Sequence, residues 1–199
     1  RAVLDGLSLS KADSIGDQLA VPFFNLTDNG LHPAHVGAMP FDGEGTPTRA
    51  LRLIQEGRLQ SFLHSEATAR HFGVDPTGHA GMGAKVSVGP DWFEVSRTPG
   101  MSTAAEHLDH CSTKQTFVLI ESLSALHAGV KASQGAFSLP FDGWLVRDGE
   151  RISVEAATVA GDIRDLMRSI VHLEPESVVT HEGVSPYVWV DGLAITGEA

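Results

Sequence analysis

The sequence has very little cysteine, and its single thiol, Cys111, excludes an internal disulfide. A chain without a disulfide framework suits a reducing compartment, so we expect a cytoplasmic protein. No run of apolar residues approaches the roughly 18 that a membrane helix requires, so no membrane partner is expected. The first residues, Arg1-Ala-Val-Leu-Asp-Gly-Leu-Ser, lack the apolar core of a signal peptide. Because the chain begins at Arg1 and not at a methionine, we expect it to be part of a longer protein.

Basic residues are also scarce, since 14 Lys and Arg stand against 25 Asp and Glu and give a formal net charge of −11. They are scattered, whereas phosphate binding needs clustered Lys and Arg, so we expect no nucleic-acid partner. The 42% of hydrophobic residues is typical of an ordinary globular protein, and 199 residues suffice for one sizeable core. The sequence shows neither a repeat nor a low-complexity linker. We therefore predict a single domain over residues 1–199.

Motifs that would supply a complete catalytic set are absent from the sequence. It contains neither of the zinc motifs HExxH and HExxxH, no GxSxG elbow and no phosphate-binding loop. We therefore assign no catalytic residue and no metal ligand. Weak ligand candidates are His181, beside a glutamate, and the trio His107, His110 and Cys111. The trio has i, i+3 and i+4 spacing on a predicted helix, which fits a soft zinc site, although exposed polar histidines are the commoner explanation.

Tight turns between apolar runs predict two β-hairpins, with turns at Glu56-Gly57 and Asp148-Gly149. The paired runs are Leu51–Gln55 with Arg58–Leu63 and Trp144–Arg147 with Glu150–Val154. A long apolar run, Thr116–Leu126, predicts a central strand, and Tyr187–Ile195 predicts a closing strand bent at Asp191-Gly192. Because strands joined by tight turns pair antiparallel, we predict an α+β fold dominated by antiparallel strands.

Three helices are predicted between the strands. One begins near Asp162, which is a good N-cap residue. A second spans Ser65–Phe72 and ends at Gly73, and a third starts near Ser102 with the capping-box spacing Thr103–Glu106. The apolar face of the first helix consists of Ile163, Leu166, Met167, Ile170 and Val171.

The segment Pro40–Arg49 must turn sharply, because two prolines and two glycines surround two carboxylates. Asp42 and Glu44 could bind a cation or a peptide amine from such a rigid loop. Alternatively they cap backbone N–H groups in a tight connection into the next hairpin, which the composition favours. Asp42, Glu44 and Gly45 are therefore candidate contacts to a substrate or a partner.

A second glycine-rich segment, Thr77–Gly81, contains a histidine. Its glycines let the backbone approach another chain or a ligand closely. His79 could act as a general base or a ligand, although a hydrogen-bonded structural histidine is the commoner case. Thr77, Gly78 and His79 form a second set of candidate contacts.

Together with the order of the hairpins, these two segments resemble the C-terminal half of the TldD/PmbA family. That family comprises peptide-maturing metallopeptidases that were once described as modulators of DNA gyrase. The resemblance extends from about Ser10 to Gly197 and includes Gly135–Ser138, Gly143–Val146 and Thr158–Gly161. It implies a curved, barrel-like assembly of antiparallel sheets with about three helices packed outside.

The resemblance also implies a function. In the family, catalytic TldD-type subunits use HExxxH together with a cysteine near the C-terminal end. Here HExxxH would fall upstream of Arg1, and the corresponding tail, Val178–Pro186, contains no cysteine. The segment Gly78-His-Ala80 is more similar to the PmbA branch of the family. In the family, the metal-free PmbA-like subunits pair with a TldD-type subunit, and the pair encloses a chamber in which unfolded peptides are cleaved as extended strands. This implies a non-catalytic PmbA-like subunit with no cofactor of its own and with zinc in the partner.

Two alternatives stay open. The chain could belong to a TldD-like zinc peptidase whose third ligand is His181 or Cys111. It could also be a non-catalytic module that presents edge strands to peptides. The partner would be a TldD-like subunit in a heterodimer or a second copy in a homodimer.

Overall fold

The computed structural model describes residues 2–112 and 115–198. The strands are β1 (Phe24–Asn29), β2 (Ala50–Gln55), β3 (Arg58–Leu59), β4 (Ala80–Gly81), β5 (Ser87–Val88), β6 (Phe93–Arg97), β7 (Phe117–Leu123), β8 (Val130–Lys131), β9 (Ala136–Arg147), β10 (Glu150–Asp162), β11 (Ile170–Val179), β12 (Gly183–Val190) and β13 (Ala194–Glu198). The helices are α1 (Glu66–Phe72), α2 (Leu126–Gly129) and α3 (Ile163–Arg168).

The strands form two large sheets and a small one. The first sheet has the order β11-β12-β6-β1-β2-β3, in which only the β12–β6 contact is parallel. The second sheet is antiparallel, with the order β13-β10-β9-β7 and β8 beside β9, and β4 pairs with β5. The α+β class with mainly antiparallel strands is confirmed. In the described ranges both large sheets are open and end in edge strands, so the barrel-like closure implied by the resemblance is not found.

Both predicted hairpins are confirmed, and their turns explain why the sequence reveals them. Glu56 and Gly57 have φ values of 51° and 75°, and Asp148 and Gly149 have values of 51° and 83°. Two successive positive φ angles give a type I′ turn, whose twist matches that of the flanking strands. The first hairpin is shorter than predicted, because β3 ends at Leu59.

Each large sheet has its own buried apolar cluster, and apart from Ala20 the clusters consist of strand residues, which alternate between two faces. In the first sheet Leu173 is completely buried. The first cluster comprises Ala20, Phe24, Ile54, Ile170 and Leu173, and the second comprises Leu139, Phe141, Ala157 and Val159. The single domain over residues 1–199 stays a prediction.

Helix α1 confirms the predicted helix and its C-terminal glycine. Ser65 and Thr68 form a capping box, and Gly73 ends the helix in the left-handed conformation with φ 67°. Helix α3 begins after Asp162, as predicted, but ends at Arg168. The next buried apolar residue, Ile170, belongs to β11 and to the first core instead.

The helix predicted near Ser102 is wrong, since residues 104–107 form turns. Both side chains of the expected capping box have other partners. The Thr103 hydroxyl lies 2.9 Å from Nδ1 of His172, and Glu106 pairs with Arg97 at 3.3 Å. These contacts to β11 and β6 replace the local capping bonds, so His107, His110 and Cys111 do not share a helical face.

The two long apolar runs also differ from their predictions. Strand β7 ends at Leu123, because Ala125 has φ 55° and turns the chain into the single turn of α2. The strand lies at an edge of the second sheet and not at its centre. The predicted closing strand is two strands in different sheets. β12 belongs to the first sheet, β13 belongs to the second, and Gly192 has φ 80° between them. The helices of the described ranges are all too short or too polar to traverse a bilayer.

Candidate functional site

The carboxylate of Asp42 ties its loop to strand β4. Its Oδ1 accepts hydrogen bonds from the N–H groups of Glu44 and Thr46, both at 2.9 Å, and its Oδ2 accepts one from Ala80 at 3.0 Å. Gly43 donates back to the carbonyl of Ala80 at 2.6 Å. Burial raises the pKa of Asp42, but the three backbone hydrogen bonds outweigh it and lower the pKa below its ordinary value. Asp42 is thus an anion that holds two segments together.

Glu44 and Gly45 complete this loop. The Oε2 atom of Glu44 accepts a hydrogen bond at 2.8 Å from the N–H of Glu66, the first residue of α1. A carboxylate at this position satisfies a free N–H and favours the positive end of the helix dipole. Gly45 has φ 84°, which a residue with a side chain rarely adopts. The cap interpretation accounts for Glu44, and contact of this loop with a substrate stays a prediction.

Thr77 fixes the ring of His79. The Thr77 hydroxyl accepts from the N–H of His64 at 2.7 Å and donates to the carbonyl of His64 at 3.1 Å. The same oxygen lies 2.9 Å from Nδ1 of His79. The Thr77 hydroxyl thus links the backbone of His64 to the ring of His79.

That Nε2 atom faces a buried carboxylate. It lies 3.4 Å from Oδ2 of Asp28, and both side chains are fully enclosed. Asp28 accepts from the N–H of Asp91 at 3.0 Å and from the N–H of Trp92 at 2.9 Å. Nε2 of His79 has no hydrogen-bond partner within the described residues. The two candidate segments, Pro40–Arg49 and Thr77–Gly81, thus lie beside the buried pair of His79 and Asp28 in the first sheet.

A pocket of about 480 Å³ lies over this group. Its lining includes His79 and the carboxylate residues Asp42 and Asp91. Burial, and then the charge of Asp28, raise the pKa of Asp91 above its ordinary value. The lining also includes three exposed apolar side chains: Met39, Phe41 and Met82. The pocket therefore combines negative charge with an apolar rim.

Two further histidines pack against the buried Trp92. The His35 ring stacks on Trp92 with a centroid distance of 5.6 Å and an interplanar angle of 6°, and its Nδ1 contacts the carbonyl of Gly30 at 3.0 Å. The His32 ring lies 4.4 Å from Trp92. His35 thus forms a wall of the pocket through packing and a backbone contact.

The weak metal candidates do not form one site. His181 is exposed, with Nε2 3.6 Å from Glu182. In the described ranges, one group of three has ligand atoms within 4.8 Å of one another, namely Asp109, His110 and Cys111, and it excludes His107. These consecutive residues lie in a turn region and do not reproduce the HExxxH arrangement of the family. Neither His107 nor His181 belongs to this described group.

His110 is engaged with the edge of the first sheet. Its Nδ1 lies 2.7 Å from the buried Glu174, whose other oxygen accepts from Trp189 Nε1 at 2.8 Å. The ring also stacks on Tyr187 at 3.8 Å. Exposed Cys111 has its sulfur 3.4 Å from Nε2 of His110. These contacts anchor the loop before β7 to β11 and β12.

Sequence reasoning missed Asp28, Asp91 and Trp92. The available signal for Asp28 was a carboxylate that follows Phe24 and Leu26 at alternate positions of strand β1, where a buried charge needs partners. Its pairing with His79 spans 51 positions of the chain, so no local pattern reveals it. Asp91 lies in a Gly-Pro-Asp turn, which local composition explains without any function.

Comparison with known proteins identifies the family of this chain. A family described as the PmbA/TldA metallopeptidase C-terminal domain matches residues 1–197, and the chain belongs to this metallopeptidase family. The Metalloprotease PmbA of Escherichia coli O157:H7 is 29% identical over 160 residues, which are 80% of this chain and 32% of that protein. The Metalloprotease TldD homolog of Haemophilus influenzae is 34% identical over 65 residues, or 33% of this chain and 14% of that protein. The chain spans about a third of the length of the PmbA relatives it matches.

Solved structures agree with this assignment. A Thermotoga maritima protein named as a modulator of a DNA gyrase is 32% identical, has a TM-score of 0.82, and is matched over 98% of this chain and 44% of its own. TldE from Thermococcus kodakarensis has a TM-score of 0.73 over 98% of this chain and 48% of its own. At 19% identity the latter shows the fold alone. The family resemblance is therefore confirmed.

Proposed function

We propose that this chain is the C-terminal domain of a PmbA-like subunit that has no catalytic zinc of its own. It would form, with a TldD-like partner subunit, part of the wall of a chamber in which unfolded peptides are cleaved. The observation that carries the proposal is the pocket between the Asp42 loop and the His79 loop. Its carboxylates and His79 are held in place by contacts within the protein, and the group of described residues that could hold a metal ion lies elsewhere.

Similarity along the chain supports the PmbA side of the family. The PmbA relatives align with 80% of this chain, whereas the TldD homolog aligns with 33%. Because the chain is about a third of the PmbA relatives' length, the proposal concerns one domain of a larger subunit.

The chemistry of the pocket supports contact with a peptide. A peptide offers N–H donors, carbonyl acceptors and apolar side chains at alternating positions along an extended segment. The pocket has carboxylates at Asp42 and Asp91, and exposed apolar side chains at Met39, Phe41 and Met82. Such a site binds and orients a chain. Proton transfer and water activation would fall to the zinc-bearing partner.

Native mass spectrometry of the full-length protein, purified without chelator, tests the proposal. We expect a zinc-free mass for the protein alone and one zinc in a complex with a TldD-like subunit. Peptidase activity on an unstructured peptide should require both subunits. One zinc per chain in a self-associated, active species would overturn the proposal and favour the TldD-like alternative.

A double variant, Cys111→Ala with His181→Ala, tests that alternative directly. If either residue were the third ligand of a catalytic zinc, the double variant would lose peptidase activity. Under our proposal the complete complex retains its activity, because both side chains are exposed and outside the pocket. The same preparation should keep its zinc content.

A further inference from the structure

Three side chains outside the pocket form a relay of contacts that ends at a nucleophile. They are Glu174, His110 and Cys111, the single cysteine of the sequence. The Cys111 sulfur lies 3.4 Å from Nε2 of His110, and Nδ1 of the same ring lies 2.7 Å from Oε2 of Glu174. A nucleophile that contacts a base, with the base oriented by a third group, is the arrangement that activates thiols.

The carboxylate of Glu174 orients the proton on the ring. Its side chain is 7% exposed, and its Oε1 accepts hydrogen bonds from the N–H of His110 and from Nε1 of Trp189, both at 2.8 Å. Two N–H donors at one oxygen favour the ionised carboxyl group. A carboxylate only accepts, so with Glu174 ionised Nδ1 of His110 donates to it. In the neutral ring Nε2 then has a free lone pair beside the sulfur, and it can take the thiol proton.

The relay runs from the protein interior to solvent. Glu174 is buried in strand β11, and the His110 ring stacks on Tyr187 of strand β12 with a centroid distance of 3.8 Å and an interplanar angle of 21°. Cys111 is exposed at the outer end. The base is therefore fixed by two neighbouring strands, while the sulfur is open to a reagent from solution.

We propose that Cys111 is a reactive thiol that exchanges with small disulfides and is thereby reversibly modified. Nε2 of His110 takes the proton of the thiol as the Cys111 sulfur attacks one sulfur of the disulfide. A mixed disulfide on Cys111 forms while the original disulfide bond breaks, and the departing thiolate receives the proton and leaves as a thiol. This inference goes beyond the proposed function, since the relay lies outside the pocket and takes no part in peptide cleavage.

Disulfide exchange suits these residues better than acyl transfer or metal binding. The N–H of Cys111 donates to Oδ1 of Asp109 at 2.8 Å, so it is engaged and does not offer itself to the oxyanion of an acyl intermediate. Asp109, His110 and Cys111 are three ligand atoms, whereas a structural zinc site has four protein ligands. Exchange requires only an accessible sulfur and a means of removing its proton.

The rate at which the full-length protein reacts with hydroxyethyl disulfide, a small neutral reagent, tests the inference. Mass spectrometry of peptides from the quenched reaction follows the adduct on Cys111 separately from any other cysteine. At pH 7 we expect Cys111 to react at least about tenfold faster in the folded protein than in the same protein unfolded in urea, because a positioned base assists only in the folded state.

Two variants examine the relay itself. His110→Gln removes the base and should slow the reaction at pH 7 about tenfold. Glu174→Gln keeps an oxygen for Trp189 but allows an amide N–H to face Nδ1 of His110, which moves the ring proton to Nε2 and should slow the reaction as well. The matched control His107→Gln removes an exposed ring from the same turn region and should leave the rate unchanged.

A second pH separates proton transfer from access to the sulfur. At about pH 10 an exposed thiol, with an ordinary pKa of about 8.5, is ionised without a base, so His110→Gln should react as fast as the wild type. The ionisable groups around the ring, Asp109, Glu174 and Tyr187, are present in both proteins. A folded protein that reacts no faster than the unfolded one, an undiminished rate in His110→Gln at pH 7, or equal slowing at both pH values would each overturn the inference.

Discussion

The imidazole of His79 and the carboxylate of Asp28 are enclosed together, with Nε2 3.4 Å from Oδ2. Each is held on its far side by the protein, His79 by the Thr77 hydroxyl and Asp28 by two successive backbone N–H groups. The pair joins strand β1 to the loop before β4. Its geometry therefore depends on contacts that can be removed one at a time.

Thr77→Val should destabilise the protein by about 2–4 kcal/mol, because it leaves the buried N–H of His64 and Nδ1 of His79 without their hydrogen-bond partner. Thr77→Ser, which keeps the hydroxyl, should cost clearly less. Urea denaturation measures both. A loss in Thr77→Val no larger than the loss in Thr77→Ser would contradict this prediction.

Asp42→Ala should cost about 2–4 kcal/mol, since three backbone N–H groups lose a charged acceptor. Because the pKa of Asp42 is lowered in the folded state, its contribution is present above the ordinary value of 3.8 and is lost as pH falls through the folded value. The matched change at exposed Asp75 should have little effect. Denaturation curves at neutral and acidic pH check both statements; an Asp42→Ala variant as stable as Asp75→Ala would contradict them.

Gly57→Ala should destabilise the protein much more than Gly73→Ala. Both glycines have positive φ angles, 75° and 67°, so both variants carry backbone strain of about 1–2 kcal/mol. At Gly57 an added Cβ would also meet the carbonyl oxygens of Ala20 and Val21 at 2.3 and 2.6 Å, whereas nothing lies within 4 Å at Gly73. Overpacking adds about 1–3 kcal/mol. Thermal unfolding of the two variants measures the difference, and similar melting temperatures would exclude the steric contribution.

His172→Gln should weaken the dependence of stability on pH. Burial, and then the nearby Arg97 charge, lower the pKa of His172 below 6.5 in the folded protein. As pH falls below 6.5, the unfolded chain binds a proton that the folded chain does not, so stability decreases until the folded pKa is reached. His127→Gln, at an exposed position, should leave this dependence unchanged. Free energies of unfolding between pH 5 and 7.5 provide the comparison, and equal slopes in all three proteins would contradict the assignment.

Local signals account for the elements that were predicted correctly. The turns at Glu56-Gly57 and Asp148-Gly149 encode positive φ angles in adjacent residues, and the caps of α1 involve residues within one turn of the helix. Such features depend on neighbours in the chain, so a sequence reveals them.

Distant contacts account for the rest. The capping box at Thr103 was overridden by His172, which is 69 positions away. The candidate site contains Thr77 and His79, which were predicted, together with Asp28, which was not. Asp28 becomes significant only because β1 passes under the loop of His79, and the strand pattern shows no trace of that approach.

The order of the strands has a practical consequence for dissecting the protein. The first sheet uses β1, β2, β3, β6, β11 and β12, while the second uses β7, β8, β9, β10 and β13. The two sets interleave along the chain, so no single cut between β1 and β13 leaves both sheets with all their strands. Fragments made by limited proteolysis or by splitting the coding sequence should therefore be stable only when they are recombined.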